Sequence, residues 1–185
     1  MTKVINLFGG PACGKSTAAA GLFNLLKQSD VSVEYVGEYA KDLIYEGTLS
    51  LLSNQVHIFS EQFRRQFRLL DKVDYIITDS PLLLSCVYFD KYNDKNLMYG
   101  PEYSDLTKKY FLETYRQFEN TNFLINRPED KYCTQGRIET LDEAVNLDLS
   151  IKAFLDNNQI VYTNTNQTLV ISDVLEQVFS ITKLA

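Results

Sequence analysis

The residues best suited to chemistry lie near the N-terminus, in the stretch Gly9–Ser16. Its glycines, lysine and serine match the phosphate-binding pattern G-x-x-x-x-G-K-[ST] at every fixed position. Glycines let backbone N–H groups wrap around phosphate oxygens, and the following helix N-terminus adds partial positive charge. Lys15 can then reach the β- and γ-phosphates, and the Ser16 hydroxyl can hold Mg²⁺. The pattern predicts that a nucleoside triphosphate binds through Gly10, Ala12, Cys13, Gly14, Lys15, Ser16 and Thr17.

The segments around this motif have the composition that a phosphate-binding loop requires. Val4–Phe8 is a short apolar run typical of a buried strand, and Ser16–Leu26 is rich in helix formers with an apolar face. A strand, a glycine-rich loop and a helix in that order are the setting in which the motif binds phosphate. The alternative, a chance glycine turn, does not explain this setting.

Two carboxylates follow further apolar runs and are candidates for the same site. Tyr75–Thr78 is a buried strand that ends in Asp79, an arrangement in which Asp79 reaches Mg²⁺ opposite Ser16. Ser32–Gly37 alternates like a strand and ends at Glu38. Glu38 is predicted to be a catalytic base or a ligand of Mg²⁺-bound water, and to contact substrate, and the alternative is an exposed glutamate at a helix start.

A helix is predicted from Asn54 to Leu70, with an apolar stripe of Val56, Phe59, Phe63, Phe67 and Leu70. Gln62 and Arg65 lie off the stripe and are predicted to bind substrate, together with Asp79. The alternative for the arginines of this helix is an ordinary solvated face. His57, the one histidine of the chain, is predicted to be structural.

A second basic stretch, about 127–139, is predicted to be a lid. Arg127 and Arg137 lie near its ends, and Thr140 with Glu143 forms a capping-box pattern that starts the next helix. That helix has an apolar face of Leu141, Ala144, Leu147, Ile151, Phe154 and Leu155. Arginines on such an arm can neutralise the migrating phosphoryl group, so both are predicted to be catalytic, with Arg127 also binding nucleotide. An exposed basic loop is the alternative.

The remaining segments complete an alternating pattern of strands and helices. Tyr88–Tyr103 reads as an irregular insertion, about 88–103, that precedes a helix ending near Phe118. Strands are predicted at Asn122–Asn126 and Gln159–Thr163. The turn after the latter contains Asn164 and Asn166, which are predicted to contact the nucleotide base, although a plain turn fits equally well.

Composition limits the classes of function. The chain has 185 residues, 45% hydrophobic and 23% charged, which predicts a single domain spanning 1–185. No apolar run reaches the roughly 20 residues of a membrane span. The net charge of −6 argues against a general nucleic-acid binder but leaves a local basic cleft open. Three scattered cysteines indicate neither a disulfide framework nor a zinc site, and favour the cytoplasm.

Taken together, these motifs resemble the P-loop nucleoside and nucleotide kinase superfamily. Within it, the chain looks most like small phage and bacterial kinase-like ATPases related to the nicotinamide riboside kinase domain. The resemblance rests on Gly9–Thr17, Glu38, the Asp79-Ser80-Pro81 turn, and Gly136-Arg137 leading into Glu143-Ala144. It implies a three-layer α/β/α fold with a five-stranded parallel sheet in the order 2-3-1-4-5, and Mg-ATP as donor. Deoxynucleoside kinases carry an arginine after the acidic residue where this chain has Ser80, which leaves the acceptor open.

Three functions are compatible with these observations. The first is an ATP-dependent kinase for a hydroxyl or phosphate of a small nucleoside, nucleotide or related molecule, either as a monomer or as a homodimer. The second is a kinase acting on hydroxymethylated bases in phage DNA. The third is a nucleotide-binding switch or ATPase module that acts through a partner and needs no catalytic base at Glu38.

Overall fold

The structure is a computed structural model that describes residues 2–96, 100–128, 132 and 138–179. The strands are β1 Lys3–Phe8, β2 Val33–Val36, β3 Tyr75–Thr78, β4 Glu119–Asn126 and β5 Thr163–Asn166. The α-helices are α1 Lys15–Gln28, α2 Tyr39–Tyr45, α3 Gln55–Phe67, α4 Leu84–Asn96, α5 Pro101–Tyr115, α6 Leu141–Asn157 and α7 Val170–Phe179. A 3₁₀ turn, Leu49–Ser53, connects α2 to α3.

The five strands form one parallel sheet in the order β2-β3-β1-β4-β5. The predicted α/β fold and its strand order are therefore confirmed. Parallel strands all end at the same edge of the sheet, where ligands bind in folds of this type. This edge brings together four connections: the loop after β1, Glu38 after β2, Asp79 after β3 and Arg127 after β4.

Helices cover both faces of the sheet and produce the three layers. Successive residues of β1 point to opposite faces: Leu7 packs in a core with α1 and α7, and Phe8 packs in a second core with α3, α4, α5 and α6. Phe123 and Leu124 divide in the same way on β4. Because both faces are buried, the central strands have continuous apolar runs instead of alternating ones.

The predicted irregular insertion, 88–103, is wrong for most of its length. Residues 88–96 belong to α4, and Gly100 precedes α5, which has Pro101 at its first turn. The asparagines and aspartates of this segment are poor helix formers, which is why the sequence reads as a loop. Burial of Cys86 and Val87 in the second core, together with the buried Phe89, stabilises the helix regardless of those propensities.

Two further predictions are corrected in position. The fifth strand lies at Thr163–Asn166, four residues beyond the predicted start, because Gln159 has a positive φ of 56° and Val161 is 87% exposed. Asn164 and Asn166 are therefore strand residues and not part of a turn.

The predicted apolar stripe of α3 is wrong at Phe67, which is 58% exposed, while three glutamines of this helix are buried.

Within the described residues, no helix has the length and apolar character that crossing a membrane would require.

Candidate functional site

The loop after β1 has the backbone of a phosphate cradle. Gly9, Ala12 and Gly14 have positive φ angles of 144°, 61° and 95°, so the chain turns sharply between β1 and α1. Such turns direct successive N–H groups toward one point, where an anion can bind. Lys15 Nζ donates to the carbonyl oxygens of Gly9 and Gly10, at 2.7 Å each, and thus lies along the loop.

Other residues of the loop pack closely against their neighbours. The buried Cys13 side chain fills the space beside Gly9, where an added Cβ would lie 2.5 Å from its Sγ. Gly14 precedes α1 and lies against Gln167, whose Cγ would be 2.7 Å from a Cβ at Gly14. The turn after β5 is therefore packed directly on the phosphate loop. Sequence reasoning missed Gln167, because a glutamine in a polar turn has no distinguishing pattern.

Ser16 and Asp79 meet as the sequence predicts. The Ser16 hydroxyl donates to Asp79 Oδ2 over 2.5 Å, and Asp79 Oδ1 is buried without a hydrogen-bond partner among the described residues. A serine hydroxyl and a buried carboxylate oxygen with unused acceptor capacity are hard oxygen ligands that suit Mg²⁺. No group of three or more metal-binding side chains occurs in the described part of the chain. This agrees with the way Mg²⁺ is held in such sites, by one or two protein oxygens with phosphates and water.

Tyr35 is an unpredicted neighbour of this pair. It lies on β2, and its pKa is raised, first by burial and then by the negative charge of Asp79, with a smaller contribution from Glu38. Tyr35 is therefore a neutral phenol at any physiological pH and is available as a donor near the carboxylates. Its place in an alternating strand gave no sign of this role.

Lys15, Glu38 and Asp79 all line one cleft. Opposite the phosphate loop, the cleft has an apolar and aromatic wall formed by α2, α3, α4 and the turns beside them. The residues of this wall are Ala40, Ile44, Leu52, Ile58, Leu84, Tyr88 and Tyr92. Burial raises the pKa of Tyr92 to about 12, so this side chain also stays neutral. The cleft thus joins a polar, phosphate-binding end to an apolar end suited to a flat organic group.

Hydrogen bonds to the backbone on both sides of Glu38 fix its position at the cleft. It is the residue before α2, and its side chain makes no capping hydrogen bond to that helix. The buried Gln62 of α3 donates to the Gly37 carbonyl at 3.2 Å and accepts from the Tyr39 N–H at 3.0 Å. Gln62 therefore clamps the backbone on both sides of Glu38.

Neither Gln62 nor Arg65 lies where the prediction of substrate binding needs it. Gln62 is occupied by the backbone of the β2–α2 connection, and Arg65 forms an ion pair with Asp42 and packs over the ring of Tyr39. Neither is among the described residues that line the cleft. Gln55, one turn before the predicted stripe residue Phe59, does line it and also donates to the Leu52 carbonyl at 2.7 Å.

Arg127 is placed beside the phosphate loop, as predicted, by a partner that sequence reasoning missed. Its Nε donates to Asp148 Oδ2 at 2.7 Å, and Asp148 Oδ1 accepts from the Gly10 N–H at 2.7 Å. Asp148 lies on α6 among the buried positions Ala144, Leu147 and Ile151. The signal in the sequence that could have identified Asp148 is its position as a carboxylate within the apolar stripe of a helix.

Of the predicted lid, residues 127–128, 132 and 138–139 are described, and Arg137 and Cys133 lie outside the described residues. Tyr132 donates from its hydroxyl to the Glu139 carbonyl at 2.5 Å, and the Arg127 guanidinium lies 5.6 Å from the centre of its ring. The Glu139 carboxylate pairs with Lys91 of α4 at 2.9 Å and lines the cleft. The capping box of Thr140 and Glu143 is present.

Asn164 and Asn166 take different positions from those predicted. Asn164 is exposed on β5, and the Asn166 side chain accepts from the backbone N–H groups of Thr168 and Leu169 in the turn before α7. The turn that lies against the phosphate loop is formed by the residues after Asn166, including Gln167.

Comparison with known proteins agrees with this fold. A sequence model of the AAA domain family matches residues 4–170. No curated protein sequence matches the chain. Among solved structures, one similar to this chain is deoxyadenosine kinase from M. mycoides with bound dATP, with a TM-score of 0.58 and 13% identity, covering 95% of this chain and 97% of that one. The chain therefore belongs to the AAA domain family and has the three-layer fold of the P-loop nucleoside and nucleotide kinases.

Proposed function

We propose that this protein is a phosphotransferase that moves the γ-phosphoryl group of Mg-ATP to a hydroxyl of a nucleoside-like acceptor. The observation that carries the proposal is the common cleft of Lys15, Glu38 and Asp79. A phosphate-binding lysine, a metal-binding carboxylate and a second carboxylate around one space are the parts that phosphoryl transfer to a hydroxyl requires. A nucleotide switch needs the first two but not the third.

The charges of the cleft support an acceptor without a phosphate group of its own. The described lining contains the carboxylates Glu38, Asp79 and Glu139, of which Glu139 is paired with Lys91, and its basic side chain is Lys15, which belongs to the phosphate loop. A second phosphate brought into this space would meet more negative than positive charge. A neutral or cationic acceptor would not, and the wall containing Tyr88 and Tyr92 offers aromatic surface to its base.

Each residue has a definite part in the proposed reaction. Lys15 and the loop N–H groups bind the β- and γ-phosphates, and Ser16 and Asp79 would hold Mg²⁺, which when bound would supply positive charge opposite those phosphates. Glu38 accepts the proton of the acceptor hydroxyl while the hydroxyl oxygen forms a bond to the γ-phosphorus and the bond from that phosphorus to ADP breaks. Arg127 faces the charge that develops on the migrating group. Arg137 is proposed to act with it.

The proposal is tested by incubating the protein with γ-labelled ATP and Mg²⁺ and a panel of nucleosides, nucleoside monophosphates and duplex DNA containing hydroxymethylated bases. We expect label to move to a nucleoside, and Lys15→Ala to abolish the transfer. Label on a monophosphate would overturn the charge argument. Label on DNA would favour the base-modifying kinase, and slow ATP hydrolysis that no acceptor increases would favour the switch module.

A further inference from the structure

One carboxylate joins two parts of the site that the sequence keeps far apart. Asp148 of α6 accepts a hydrogen bond from the Gly10 N–H through Oδ1 and another from Arg127 Nε through Oδ2, each at 2.7 Å. Gly10 lies in the phosphate loop and Arg127 follows β4. Both contacts are of the charge-assisted type, which is shorter and stronger than a neutral hydrogen bond.

The contact with the phosphate loop explains why residue 10 is glycine. A Cβ there would lie 2.3 Å from Asp148 Oδ1 and 3.0 Å from the Ala144 carbonyl oxygen, both on α6. Position 10 is a variable position of the phosphate-binding pattern. The close approach of α6 therefore accounts for the small residue at this position.

The contact between Asp148 and Arg127 is made by the Nε atom of the guanidinium and not by its two terminal nitrogens. The side chain is only 11% exposed, and its Nη1 and Nη2 atoms are buried with no hydrogen-bond partner among the described residues. Nη2 would lie 3.1 Å from a Cβ at Gly10, so these donors are beside the phosphate loop. Buried charged donors without partners are costly unless a ligand pairs with them.

We propose that Asp148 is a positioning residue that holds Arg127 by Nε so that its two terminal nitrogens face the phosphates of the bound nucleotide. This inference rests on the proposed function, because it needs a nucleotide in the phosphate loop. Asp148 carries a negative charge into a site for anions, and Arg127 neutralises it. Arg127 in turn depends on Asp148 for its direction. The two side chains act as one unit.

The test is a double-mutant cycle of Arg127→Ala and Asp148→Ala. Affinity for the Mg²⁺ complex of a non-hydrolysable ATP analogue is measured by calorimetry, turnover with the active acceptor by label transfer, and folding by thermal unfolding. Arg127→Ala leaves Asp148 unpaired near the phosphates and is expected to weaken analogue binding by about 10–100-fold. The double variant is expected to bind about tenfold more tightly than Arg127→Ala, because the repelling carboxylate is gone.

Asp148→Ala alone is expected to lower kcat by about tenfold with analogue affinity within about threefold of wild type, because a misdirected arginine still attracts phosphate. In the Arg127→Ala background it is expected to cause no further loss of turnover. Asp148→Asn, which preserves shape, serves if the alanine variant does not fold. Asp156→Ala, which removes an exposed carboxylate paired with Lys152 on the same helix, is the matched control and should change neither quantity.

Two results would overturn the inference. If the losses in Asp148→Ala and Arg127→Ala multiply in the double variant, the two residues act independently. If Asp148→Ala and Asp148→Asn both turn over normally, Arg127 needs no positioning. A wild-type protein that binds no analogue at all would instead overturn the proposed function and, with it, the role of Arg127.

Discussion

Two arginines of this protein, Arg127 and Arg65, are both predicted to handle anions, and the structure gives them opposite surroundings. Each is paired with an aspartate and lies near a tyrosine ring. Arg127 is 11% exposed, lies beside the phosphate loop, and has two donor nitrogens without a hydrogen-bond partner among the described residues. Arg65 is 24% exposed, and its partner Asp42 is 45% exposed, at a surface outside the cleft.

The difference shows that an arginine–aspartate ion pair does not by itself indicate a role in binding anions. The Arg65–Asp42 pair is partly exposed to water, where such pairs contribute little. The Arg127–Asp148 pair uses one nitrogen of the guanidinium, and the other two are buried without a hydrogen-bond partner in the described part of the chain, an arrangement that an anion would complete. The predictions below test this contrast between the phosphate-loop region and the surface beside α2 and α3.

The largest effect is expected at the phosphate loop itself. Lys15→Ala should lower phosphotransfer by at least about 10²–10³-fold, because a positive charge that meets the transferred phosphates is lost. Lys27→Ala is the control, because Lys27 lies on the same helix as Lys15 but is exposed and paired with Glu34 of β2. This variant should leave transfer unchanged. Label transfer from ATP measures both. Normal transfer by Lys15→Ala would place the chemistry elsewhere.

Glu38→Gln should come next. It removes the base but preserves size and hydrogen bonding, so transfer should fall by about 10²–10⁴-fold while ATP binding persists. Single-turnover label transfer, in which chemistry limits the rate, measures the effect. Glu46→Gln, at the exposed C-terminal end of the same helix, is the matched control. Near-normal single-turnover transfer by Glu38→Gln would remove Glu38 from the mechanism.

Arg127→Ala and Arg65→Ala compare the two arginines directly. Arg127→Ala should lower turnover by about 10²-fold, because the charge on the migrating phosphoryl group loses a donor. Arg65→Ala should change turnover by less than about threefold and stability by no more than about 1 kcal/mol. Steady-state kinetics and urea unfolding measure both variants. Equal losses of turnover would show that the surface beside α3 contributes to catalysis after all.

The smallest effect on the chemistry is expected from a pair of buried glutamines on α3. Gln62→Leu leaves the Gly37 carbonyl and the Tyr39 N–H without their partner and should cost about 1–3 kcal/mol in the free energy of unfolding. It should also lower turnover, because these groups flank Glu38.

Gln66→Leu is the matched control for this pair. Gln66 Nε2 is buried and has no hydrogen-bond partner within the residues that the structure describes, so its removal should be neutral or stabilising. Urea unfolding of the two variants decides the comparison. If both substitutions cost the same free energy of unfolding, the hydrogen bonds of Gln62 to the backbone beside Glu38 do not stabilise the fold.

Much of the site could be predicted because it depends on short-range sequence. The phosphate-binding pattern needs its residue types within one loop, and Asp79 and Glu38 follow apolar strands whose ends must share one edge of a parallel sheet. The capping box of Thr140 and Glu143 is local in the same sense and is present. The order of the five strands is confirmed as well, although it came from the family resemblance and not from local pattern.

The mistaken predictions concern segments that depend on distant partners. Local propensity makes 88–96 look irregular, yet packing of α4 against the second core makes it helical. The fifth strand begins at Thr163 because pairing with Phe123–Asn126 of β4 selects its register over the apolar residues before it. Both cases reflect tertiary contacts that outweigh a preference of less than about 1 kcal/mol per residue.

The sequence alone determined the phosphate-binding pattern, the two carboxylates that follow apolar strands and the alternation of strands with helices, because each of these follows from residues close together in the chain. Only the tertiary structure decided which polar side chains complete the site. It brings Asp148 to Gly10 across 138 residues and to Arg127 across 21, and it turns Gln62 toward the backbone beside Glu38. Contacts at such separations leave no periodic pattern, because their partners meet only after the helices pack on the sheet.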